Sequence, residues 1–80
     1  MGERHYMMGE HAELRQRRLL AAASCDALRE KMRMLLPITE DAGKLDRDAI
    51  LNVAASLHSG LGVLAEIDAK MAVLGRELGL

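Results

Sequence analysis

From Glu10 onward the apolar residues of the chain recur at helical spacing. Leu14, Ala21, Cys25, Leu28, Met32 and Leu35 follow one another at steps of three, four or seven, which places them on one stripe of a helix. Arg15, Arg17, Arg29 and Arg33 fall beside or behind that stripe. Pro37 closes the segment, because a proline pushes the residue before it out of the α region. The pattern predicts a first helix over about residues 10–36. Residues 1–9 (MGERHYMMG) show no period and are expected to form a flexible leader.

Residues 37–45 (PITEDAGKL) read as a polar connection. Asp46 is suited to cap the next helix, since its carboxylate can accept an orphan backbone N–H. Leu45 before the cap and Ile50 after it match a hydrophobic staple. So short a connection predicts an antiparallel hairpin, residues 10–80 forming one all-α domain with its second helix over about 46–78.

That second helix has the clearest pattern. Ile50, Leu57, Leu64, Met71 and Leu78 repeat at seven, and Val53, Gly60, Ile67 and Leu74 repeat at seven from three residues later. This is an a/d heptad pattern of the coiled-coil kind, weak only at Gly60. About 33 residues make a helix some 50 Å long, longer than the first. Leu28, Met32 and Leu35 are expected to close the hairpin against Ile50, Val53 and Ala54. The remaining apolar row, Leu57, Leu64, Ile67, Met71, Leu74 and Leu78, is then left for a helical partner, with anchors at i, i+3, i+4 and i+7. Gly60 and Gly62 each cost roughly 1 kcal/mol against alanine inside a helix. They mark either the close approach of another backbone or a break between two helices.

Composition sharpens this picture without naming a reaction. The 80 residues include fourteen Leu, twelve Ala and six Met, but one aromatic residue, Tyr6. Strand-favouring residues are scarce and helix formers dominate. A chain this short buries only about 60% of its unfolded surface, and its folding balance is close to zero. The missing stability is expected from another chain, as a homodimer or in a heteromeric chaperone complex. No stretch is an unbroken apolar run of the roughly eighteen residues that signal a membrane span. Glu3, Glu10 and Glu13 argue against a secretory signal. A single cysteine suits a reducing, cytoplasmic setting. Net charge is −1, with residues 1–36 at +2 and residues 37–80 at −3.

Catalytic chemistry finds little support. Cys25 shares its stripe with Ala21, Leu28 and Met32, as a packing residue does, and no base is placed beside it by spacing. His5, His11 and His58 form no metal-ligand pattern with it. No catalytic residue, metal or cofactor is expected, nor a small-molecule substrate.

Two orders of residues resemble known families. His11, Leu14-Arg15-Gln16-Arg17, Cys25 and Gly60-Leu61-Gly62-Val63-Leu64 look like a remote member of the small E-type cochaperones of type III secretion needle subunits. That resemblance covers residues 11–67. It implies a cytoplasmic helical hairpin that binds a helical-repeat chaperone, the two together holding the needle subunit. The alternative comes from Arg17-Arg18, Leu28-Arg29, Pro37, Lys44-Leu45, Ile50-Leu51 and Ala54, an order similar to the basic helix-loop-helix-zipper regulators. It implies a dimer that binds DNA through Arg15, Arg17 and Arg18, although the proline lies about one turn late and Leu14 occupies the base-reading position. Arg29-Glu30-Lys31-Met32-Arg33 before a loop and an Ala-rich helix also resembles the helical part of the Z-ring-associated cell-division protein.

Overall fold

The computed structural model describes residues 2–80. Two helices, α1 (Gly2–Leu35) and α2 (Arg47–Leu78), lie antiparallel, with one 3₁₀ turn (Ala42–Lys44) in the connection. The molecule is a rod of 62 × 15 × 15 Å. Its radius of gyration is 18.0 Å, against about 12 Å for a compact domain of this length.

The boundaries have local causes. α1 stops at Leu35, leaving Leu36, the residue before Pro37, outside the helix. Glu40 N–H then donates to the Pro37 carbonyl at 3.2 Å and begins the turn. The Asp41 carboxylate accepts from Gly43 N–H at 3.1 Å. The Asp46 carboxylate accepts from Ala49 N–H at 3.0 Å, the cap expected of it. At the far end Gly79 adopts φ 74°, the left-handed conformation that glycine takes at no steric cost. Leu80 N–H donates to the Gly75 carbonyl at 2.8 Å, closing a Schellman motif.

α2 is one unbroken helix through Gly60 and Gly62. A Cβ at Gly60 would stand 2.9 Å from Cys25 Sγ. The glycine therefore makes room for the Cys25 side chain, which is 3% exposed. This close approach lies within the chain, and it fixes the antiparallel register. With Cys25 at Gly60, Leu28 falls level with Leu57, Met32 with Val53, and Leu35 with Ile50. Ala54 is exposed, so Leu57 takes the place expected of it.

Of the leader expected over residues 1–9, Met1 lies outside the described residues and residues 2–9 are helical. They extend α1 by two turns beyond the expected start, making the helices nearly equal at 34 and 32 residues. Arg4 Nη2 donates to the Leu78 carbonyl at 3.2 Å, satisfying an orphan acceptor at the negative end of α2. Met7 and His11 are half-buried, and Leu14 and Leu78 are each 5% exposed. Two charged side chains, two glycines and a histidine hide the period of this segment. Of its residues Met7 alone is half-buried, and the Arg4 bond to Leu78 ties it to the end of α2.

Candidate functional site

The expected partner face lies inside the hairpin. Leu57, Leu64, Ile67, Met71, Leu74 and Leu78 all sit on the row of α2 that faces α1. Ile67 and Leu78 are buried, and the other four are half-buried. The end of α2 does not project, because α1 begins at Gly2 and runs beside its whole length. One continuous seam from Ile50 to Leu78 therefore closes the hairpin.

What that seam leaves uncovered is more informative. Among the described residues only Leu14, Cys25, Val53, Ile67 and Leu78 form the buried apolar core. Leu51, Leu61, Val63 and Val73 of α2 are each about half or more exposed. The seventeen residues from Ala49 to Ala65 include no Asp, Glu, Lys or Arg on any side of the helix. A helix apolar all round is normally a buried one. By length and composition alone, Arg47–Leu78 is also long and apolar enough to cross a membrane. Asn52, Ser56, His58 and Ser59 interrupt its apolar run, while leucine, isoleucine, valine and alanine keep the average high.

A second heptad register lies on the side of α2 turned away from α1. Asp48, Ala55, Gly62, Ala69 and Arg76 repeat at seven, with Leu51, His58, Ala65 and Ala72 between them. All nine are exposed. Large residues mark the inner row in the sequence, whereas alanine and glycine leave this one inconspicuous. Its signal is the same period, written in small residues two positions out of phase.

The basic residues are partly engaged. Arg17 Nη2 lies 3.2 Å from Glu13 Oε1 within α1. Arg18 holds Asp68 of α2 through two hydrogen bonds, the longer from Nη2 to Oδ2 at 3.3 Å. That bond and the guanidinium charge hold the Asp68 carboxyl below its ordinary range and raise Arg18. Arg33 does the same for Glu30 one turn away in α1. Of the three arginines of the DNA-binding reading, Arg15 alone makes no such contact among the described residues. Those three lie beside the middle and C-terminal part of α2 rather than on a separate basic arm.

No group of three or more His, Cys, Asp or Glu residues is placed to hold a metal among the described residues. A groove of about 460 Å³ opens between the start of α1 and Lys70 and is lined by Tyr6, Glu10, Glu13 and Arg17. Two carboxylates, Glu10 and Glu13, share it with the cations Arg17 and Lys70. A shallower groove of about 410 Å³ near the turn is lined by Ala27, Leu28 and Met34.

No family model, no curated protein and no solved structure matches this chain.

Proposed function

We propose that this chain is a non-enzymatic interaction module, an adaptor or cochaperone that works by presenting an apolar helix face to a helical protein partner. The observation that supports this reading is the uncharged circumference of α2 from Ala49 to Ala65, one side of which packs on α1 while the other is bare. A face of that kind is covered by docking another helix along it, with anchors one or two turns apart. In the narrower reading that follows from the cochaperone resemblance, the partner is a helical-repeat chaperone in the cytoplasm and the cargo a secreted needle subunit.

Photo-crosslinking tests the broader reading. A benzophenone-bearing residue at Leu51, which is 67% exposed, should yield a discrete protein adduct when the chain is expressed in its own cells. Absence of any protein adduct would count against an interaction module.

A further inference from the structure

We infer that the occupant of the outer row of α2 is a second copy of this chain, its α2 antiparallel to the first about a two-fold axis at Gly62. This rests on the reading of the chain as a module that acts by helix contact, and it names the partner.

The inference starts from a contrast between two glycines. Gly60 is explained by Cys25, whose sulfur would crowd any Cβ there. Gly62 points away from α1, and a Cβ built on it meets nothing within 4 Å, as at Gly9 and Gly75; of these three Gly62 alone lies in the uncharged stretch of α2. An exposed mid-helix glycine costs roughly 1 kcal/mol against alanine, and no contact within this chain offsets that cost. A backbone arriving from outside does, since two helices come closest where neither bears a side chain.

The charges select both the partner and its direction. Asp48 and Arg76 lie fourteen residues to either side of Gly62, about 21 Å in each direction along the axis. An antiparallel second copy centred on Gly62 brings Asp48 of one chain level with Arg76 of the other, twice by symmetry. It also sets Ala55 level with Ala69 and Gly62 against Gly62. Parallel pairing would instead stack Asp48 on Asp48 and Arg76 on Arg76. Asp48 is 87% exposed, and its one ion-pair contact among the described residues is to neighbouring Arg47 at 4.0 Å. A surface complementary to itself under a two-fold rotation is what an isologous dimer requires.

The exposed area fits this occupant. The chain exposes 6334 Å², where a compact monomer of 8.8 kDa exposes roughly 4,800 Å². The excess of about 1,500 Å² exceeds the roughly 800 Å² that each partner buries in a standard interface.

Sedimentation equilibrium of the purified full chain over a wide concentration range tests the pairing. The expected mass at high concentration is twice 8.8 kDa. Gly62→Leu should remain helical by circular dichroism, because leucine favours an exposed helical site, and should sediment as a monomer. Asp48→Arg should raise the dissociation constant by roughly tenfold through two lost pairs and new repulsion. Asp48→Arg combined with Arg76→Asp should restore it, which distinguishes antiparallel from parallel pairing. A monomer at every concentration, or a Gly62→Leu variant that still dimerises, overturns the inference. If the purified chain is monomeric and the Leu51 adduct contains a different protein, the second copy is wrong and the interaction module stands. If the chain is monomeric, gives no protein adduct and floats with phospholipid vesicles, both are wrong.

Discussion

The two sides of α2 share a backbone, a heptad period and a glycine near the middle, yet they differ in residue size. The side facing α1 is built from Ile50, Val53, Leu57, Leu64, Ile67, Met71, Leu74 and Leu78, the opposite side mostly from alanine and glycine. Large residues at seven-residue spacing fill the gap to a neighbour at ordinary interaxial distance, whereas small ones suit a closer neighbour. Identical periodicity can therefore encode two different helix contacts, and side-chain volume separates them.

The contrast breaks most readily from the inside. Leu64→Ala with Met71→Ala removes two half-buried side chains from the seam and should lower stability by about 2–5 kcal/mol, measured by denaturant unfolding. Leu51→Ala on the outer side, in dilute protein, should stay within roughly 0.5 kcal/mol of the parent. Equal losses for the two variants would erase the distinction between the faces.

The glycines sharpen it further. Gly60→Ala gains helix propensity but drives a methyl group onto Cys25 Sγ, and overpacking of this kind costs about 1–3 kcal/mol. A net destabilisation is expected, relieved when Cys25→Ala is combined with it. Gly62→Ala meets nothing and should stabilise the dilute monomer by up to about 1 kcal/mol. If both alanine variants shift the unfolding midpoint in the same direction, Cys25 is not what requires glycine at position 60.

A smaller effect tests the end of the seam. Arg4→Ala leaves the Leu78 carbonyl without its donor and should cost on the order of 1 kcal/mol. The expected readout is faster amide exchange at residues 2–9 and 76–80, with no change around Cys25. Uniformly faster exchange would show that the ends are not a separate unit.

The smallest expected effect is electrostatic. Asp68 is held below its ordinary carboxylate range by the Arg18 bond. Its contribution is thus fully present above that range and is lost as pH falls through the depressed folded value. Asp68→Asn should flatten the acid limb of the stability profile slightly, because the pair is exposed and screened. Glu30→Gln, which breaks a pair inside α1 alone, should alter helicity without changing contact between the helices.

Much of the architecture was legible in the residues. Pro37, the Asp46 cap and Gly79 set three of the four helix ends, and each acts through neighbours in sequence. The start of α1 was not legible, since Gly2–Gly9 lies beside the end of α2, where Arg4 bonds the Leu78 carbonyl some seventy residues away. A helix starting only at Glu10 leaves Leu78 without a level neighbour, whereas Leu64 and Met71 fall level with Ala21 and Leu14 in the register that Cys25 and Gly60 set. The role of Gly60 required the hairpin register, which only the position of Cys25 supplies. Asp48, Ala55, Gly62, Ala69 and Arg76 were readable by period, but alanines contribute little to a pattern judged by hydrophobicity.

The Arg4 clasp has a mechanical consequence. It holds the beginning and end of the described chain at one pole, while Ile38, 93% exposed, marks the other pole of a 62 Å rod. The hairpin is a strut: whatever grips the turn is held a fixed distance from whatever is joined to either terminus. Pulling the two termini apart would open it like a zipper from Arg4 inward, one seam layer at a time.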